Sequence, residues 1–138
     1  MKVNKLSDFG YAFQIKLIAL LFKDRLFLQQ IVDILDSSYF ESEANIVILD
    51  IIKDYFKEYN SLPTLEAMKI KIIEIENDLL KKSIAENIKS AFQQMESEDL
   101  AFVKEKALEF CKNQEIKKAI VESVELLNRG DYDSIKAK

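Results

Sequence analysis

Residues 39–63 read YFESEANIVILDIIKDYFKEYNSLP, and the spacing within them decides the fold. After the aromatic pair Tyr39-Phe40, the residues Ile48, Leu49, Ile52, Tyr55, Phe56 and Tyr59 recur at three- and four-residue intervals. That spacing places them on one side of an α-helix. Asp50, Lys53, Asp54, Lys57 and Glu58 take the other side, where Asp50–Lys53 and Asp54–Lys57 stand one turn apart and can pair. Ser42 is placed to cap the helix start, Pro63 halts the chain, and Thr64 can cap a new helix. A helix that can bury apolar side chains along its whole length predicts the central strut of a small helical domain.

The same spacing extends in both directions. Ser7 or Asp8 can cap a first helix with Phe9, Phe13, Leu17, Leu20 and Leu21 on one face. Ile18 and Phe22 widen that face, so this helix is expected to be the most buried. Asp24 is placed to cap a second helix that turns Leu28, Ile31, Val32 and Leu35 inward, and Asp36-Ser37-Ser38 breaks it. Beyond Thr64, Leu65, Met68, Ile72 and Ile75 form one seam, and Asn77-Asp78 either interrupts or serves as a capping point between two nearly continuous helices. Leu80, Ile84, Ile88, Ala91, Phe92 and Met95 then make a stripe that ends at the turn Glu96-Ser97-Glu98. A last helix is predicted from Asp99 to Asn128, stopped by Arg129 and by Gly130 as a left-handed cap. Its stripe begins Leu100, Val103, Ala107, Phe110 and resumes as Ile116, Ile120, Val124, Leu127, displaced round the helix after Lys112-Asn113-Gln114-Glu115. The two halves are therefore expected to face different neighbours. Asp131-Tyr132-Asp133 can start one more helix.

The chain has 138 residues, a size for one domain. Apolar residues make up 49% and charged residues 32%, a globular balance. Two glycines and one proline give too little punctuation for hairpins of strand. The expectation is all-α, with about six helices. Residues 1–77 form a helical head, 78–129 an antiparallel helical hairpin of the same domain, and 130–138 the start of a linker. No apolar run approaches the roughly 20 residues of a membrane span. The single cysteine, Cys111, has no internal partner for a disulfide and fits a reducing cytoplasm. The net charge is −4, and only Lys81-Lys82 and Lys117-Lys118 set basic residues side by side. Without a basic stripe, direct nucleic-acid binding is not expected.

Catalytic chemistry is also not expected. Histidine is absent, which excludes histidine bases, histidine metal ligands and Ser-His or Cys-His nucleophiles. Gly10 and Gly130 stand alone, so there is no phosphate loop. The carboxylate pairs Glu96/Asp99 and Glu122/Glu125 have helical spacing, but solvated helix faces account for them. No catalytic, cofactor-binding or metal residue is assigned, and no cofactor is expected.

The order of elements around the opening stretch resembles the N-terminal domain of DnaB-type replicative DNA helicases. An aromatic dipeptide, an amphipathic helix and a polar turn into Leu62-Pro63-Thr64 carry the likeness, which runs from about Gln14 to Leu79. Tyr39-Phe40, where cellular members more often have Phe-Tyr, makes it similar to the version found in large tailed phages. The resemblance implies a non-catalytic domain of a hexameric helicase that forms a collar by hairpin pairing and receives primase or a helicase loader. It implies a separate ATP-hydrolysing motor domain and work in a bacterial or phage-infected cytoplasm. A primase's helicase-binding domain shares the head-plus-hairpin design, and a stand-alone helical adaptor or loader is the reading from another class. Within the hairpin, Phe92, Met95, Leu100, Phe102, Val103 and Phe110 are the candidate interface for self-association. Periodicity leaves open whether each serves core or interface. The tip, near Met95 to Phe102, is expected to carry the pairing.

Overall fold

A computed structural model of the chain describes residues 4–130. It is all-α. Six helices follow in order: α1 (Tyr11–Lys23), α2 (Arg25–Ile31), α3 (Glu43–Tyr59), α4 (Leu65–Ile73), α5 (Asp78–Gln93) and α6 (Leu100–Asn128). Single 3₁₀ turns, Leu6–Phe9 and Ser37–Tyr39, precede α1 and α3. The expected linker start and the helix start at Asp131 lie outside the described residues.

Local chemistry starts most of these helices where the sequence places them. The Asp24 carboxylate accepts from the Phe27 amide at 3.0 Å, Ser42 Oγ from Asn45 at 3.3 Å, Thr64 Oγ1 from Ala67 at 3.1 Å and Asn77 Oδ1 from Leu80 at 3.0 Å. Each satisfies an amide that the first helical turn would leave unpaired. The first helix departs from expectation. Asp8 accepts from the Asn4 and Lys5 amides and closes the 3₁₀ turn instead of capping a helix. Gly10 then takes φ 100°, a backbone that side-chain-bearing residues rarely adopt, and α1 begins at Tyr11.

The centre of the domain is α1, not the helix of the opening stretch. Nine of its residues, including Phe13, Leu17, Ile18, Leu21 and Phe22, are buried. It packs against α2, α5 and α6. α3 buries Ile48, Leu49, Ile52 and Phe56 on one side only, against α5. Tyr59 is exposed and stacks on Tyr55 at 4.7 Å. Neither Asp50–Lys53 nor Asp54–Lys57 forms an ion pair; Lys53 Nζ instead reaches back to donate to the Leu35 carbonyl at 2.7 Å. The physical difference is width: α1 is apolar over most of its circumference and needs neighbours all round, whereas α3 carries acids and lysines along its outer side.

The last two helices run antiparallel, but across α1. Tyr11 bonds to Asn87 and the Phe22 ring meets Phe92 at 5.2 Å, so α1 and α5 run in the same sense. Lys16 pairs with Asp99 at 2.9 Å while Phe9, just before α1, meets Phe110 at 6.2 Å, so α6 runs opposite to α1. Both helices pack on α1, α5 packs as closely on α3, and the two make no substantial contact with each other. α5 and the first half of α6 accordingly belong to the same buried cluster as α1, α2 and α3.

One polar chain crosses this core. Asn45 and Gln14 are buried. Tyr11 Oη donates to Asn87 Oδ1 (3.1 Å), Asn87 Nδ2 to Asn45 Oδ1 (2.9 Å), Asn45 Nδ2 to Gln14 Oε1 (3.1 Å) and Gln14 Nε2 to the Gly10 carbonyl (3.2 Å). A chain satisfied at every link fixes the register of α1, α3 and α5 where apolar packing alone would tolerate sliding.

A second tie joins α2 to α6. Asp24, besides capping α2, pairs with Lys104, whose ammonium also lies 5.8 Å from the Phe27 ring centre. The Lys104 contact and the Phe27 amide hold the Asp24 carboxyl below its ordinary value. Asp99 is lowered chiefly by Lys16, and Asp36 chiefly by the Ser38 amide. Depressed carboxyl groups contribute stability that is complete above their unfolded values and lost as pH falls through the folded ones. The urea midpoint is therefore expected to fall as pH drops below about 5, down to about pH 2. Asp24→Asn keeps the cap and removes the charge, so it should flatten that slope. An acid slope identical in the variant would remove Asp24 from this role.

Candidate interaction surface

α6 is two helices in one as far as its surroundings go. Leu100, Val103, Ala107, Phe110 and Cys111 are buried against the body. Ile116, Ile120, Val121, Val124 and Leu127 are each 50–59% exposed. At about 100° per residue, Ile116, Ile120, Val124 and Leu127 centre roughly 130° round the helix from the buried set. The displaced second stripe expected from sequence is thus present, and among the described residues it stays exposed. Val121 falls on the body side of the helix and is still 55% exposed. The body therefore ends before it, and the C-terminal turns project.

Lys118 ties α6 to the body. Its ammonium lies 3.6 Å from Asp36 and 3.7 Å from Glu115, and 5.3 Å from the centre of the Tyr39 ring. Tyr39 is buried beside Phe110, with the two rings edge to face at 5.3 Å. Burial raises its hydroxyl above the usual tyrosine value. The Tyr39-Phe40 pair is thus core, and Tyr39 forms the wall on which α6 rests before it leaves the body.

The six residues singled out in the hairpin divide differently from expectation. Leu100, Val103 and Phe110 are buried core side chains, Phe110 against Phe9 and Tyr39. Phe92 and Met95 are half-buried against the core, Phe92 on Phe22. Only Phe102 is open, at 56%, with the Lys106 ammonium 5.9 Å from its ring centre. Of the expected tip, Leu100 is buried in the core, Met95 is half-buried against it and Phe102 alone is open. Lys16 and Lys23 hold the turn itself, through Asp99 and through the Met95 carbonyl at 2.6 Å. The exposed apolar surface lies at the other end of α6.

Two grooves accompany this surface. One, of about 490 Å³, lies among Leu20, Leu26, Leu100 and Ala101 and is edged by Lys23, Arg25 and Lys104. All three cations are engaged within the chain: Lys23 with Met95, Lys104 with Asp24, and Arg25 with the Asn60 carbonyl at 3.1–3.2 Å. The other, of about 420 Å³, runs between α4 and α5. Among the described residues, no group of three or more acids or cysteines is gathered as a metal site would require. Asp99 and Glu96, weighed as a carboxylate pair, turn to Lys16 and Lys23. No helix among the described residues is long and apolar enough to cross a membrane.

Compared with protein-family models, with curated proteins and with solved structures, the chain finds no match.

Proposed function

We propose that this chain is a self-associating, non-catalytic domain of the kind found at the N-terminus of DnaB-type replicative helicases, working in a bacterial or phage-infected cytoplasm. In this reading it pairs through its last helix to build a hexameric collar and receives primase or a helicase loader. A separate motor domain carries the ATP chemistry, and this domain itself takes no cofactor and touches no nucleic acid. The observation that carries the self-association is the exposed stripe of α6, which points away from the body on a projecting helix.

Its spacing suits a second copy of itself. Ile116, Ile120 and Val124 are spaced symmetrically about Ile120, and the mirror position of Leu127 is the polar Asn113. An antiparallel pair of α6 ends would set Ile116 opposite the partner copy's position 124 and Ile120 opposite its own counterpart, the self-complementary contact of a two-fold dimer. The stripe is short, and the area per partner falls well under the roughly 800 Å² of a standard interface. Association of the isolated domain should be micromolar or weaker.

Sedimentation equilibrium tests this. The chain is expected to dimerise at hundreds of micromolar, and Ile120→Glu to give a monomer with the same thermal melt, since Ile120 is exposed in the single chain. Phe102→Glu should leave the dimer intact. A chain monomeric throughout, or a dimer that survives Ile120→Glu, would refute pairing through α6.

A further inference from the structure

The groove between α4 and α5 leads away from self-association. Leu65 and Ile72 line one wall, Ile88 and Phe92 the other, and Lys69 and Lys89 edge it. No carboxylate lines it, in a chain whose net charge is −4. Among the described residues, Lys89 makes no ion pair and Lys69 meets only Glu66 of its own helix, at 4.0 Å. Leu65 stays 43% exposed although a buried seam lies beside it at Met68. The wall residues Leu65 and Ile72 span two helical turns, about 11 Å at 1.5 Å per residue.

We infer that this groove is a docking site for a short, acidic-flanked amphipathic helix from a different protein. An apolar floor two turns long admits side chains spaced i, i+3 or i+4, and i+7, the pattern by which helices seat in grooves. Lysines on both rims select carboxylates at the helix edges and repel lysines there. That charge pattern argues against a second copy of this chain as occupant. Among the described residues, the exposed apolar stripe long enough to enter, on α6, is flanked by Lys112 and Lys117, which would face Lys69 and Lys89. The inference stands apart from the helicase reading and from pairing through α6, and holds or fails without them.

The test titrates the isotope-labelled full chain with a synthetic amphipathic helix of about four turns, its leucine stripe flanked by glutamates. A twin peptide carries lysines in place of the glutamates. The glutamate peptide is expected to shift backbone resonances of α4 and of Ala85 to Gln93, and to bind at least about tenfold more tightly than its twin, one full charge reversal at two rim positions. Lys69→Glu with Lys89→Glu should reverse the preference. Both lysine side chains are exposed, so the double variant should fold as the parent does. Ala85→Trp, filling the groove from an exposed position, should abolish the shifts. Equal binding of the two peptides, shifts that map to Ile116–Leu127, or no shift at millimolar peptide would each overturn the assignment. So would groove resonances that move with protein concentration alone, which would make a second copy the occupant.

Discussion

Cys111 is expected to react with a water-soluble aromatic disulfide at least about a thousandfold more slowly in the folded chain than in urea. The thiolate is the reacting species. In the unfolded chain the thiol titrates near 8.5, so at pH 8 roughly a quarter of it is ionised. In the folded chain Cys111 has no exposed surface, and burial pushes its thiol up to about 12. Glu115 adds to the rise, while Lys118 and Lys53 oppose it. At pH 8 the thiolate fraction then falls to about one in ten thousand, before any loss from blocked access is counted. Reaction through local opening would scale with the opening equilibrium and would speed up in sub-denaturing urea. Labelling within about tenfold of the unfolded rate would mean that α6 is not seated at this point. The position gives the measurement its value. Cys111 is the last buried residue of α6, so its protection reports whether the projecting end starts where the burial pattern says it does.

What the sequence makes legible here is local. Asp24, Ser42, Thr64 and Asn77 cap their helices because each cap needs only a side-chain oxygen and an amide two or three residues on. Ile48, Leu49, Ile52 and Phe56 are buried because a period of 3.6 puts them on one side. Gly130 closes α6 at φ 76° as its type suggests. Non-local relations are where the reading departs from the structure. Leu100, Val103 and Phe110 have the same period whether they face a core or a partner. What decides is that α1 is apolar nearly all round and draws in α5 and α6 on separate sides. The Tyr11–Asn87–Asn45–Gln14 chain joins residues 31 to 76 positions apart, and each of the four looks like an ordinary surface residue in its own segment. A signal for the projecting surface did exist. The second stripe of α6 is displaced from the first, and no helix remained in the head to receive it. The α4–α5 groove had no signal, since its walls come from two helices whose separate stripes read as ordinary core.

Truncation of Ile52 to Ala should cost about 2–5 kcal/mol, and of Phe27 to Ala about 3–5 kcal/mol. Both side chains are fully buried, Ile52 on α3 and Phe27 on α2, where the Lys104 ammonium closes over its ring. A close-packed interior relaxes only in part around a deletion, so the cost includes the cavity as well as the lost transfer energy. The comparison that tests the assignment is on α3 itself. Lys57 is exposed, and Lys57→Ala should stay within about half a kcal/mol. Lys53, which sequence periodicity alone would group with Lys57, should fall between the two. Its ammonium crosses to the Leu35 carbonyl at 2.7 Å, and a bond to a charged donor is worth about 1.5–3 kcal/mol when part-buried. Urea midpoints at constant slope should therefore rank the losses Ile52 over Lys53 over Lys57. Equal shifts at Lys53 and Lys57 would detach Lys53 from Leu35. A shift at Ile52 no larger than at Lys57 would mean that α3 turns a different side to α5. For a domain whose total stability is of the usual 5–15 kcal/mol, the loss at Ile52 could take a third of it or more, enough to show at a single temperature without a full melt.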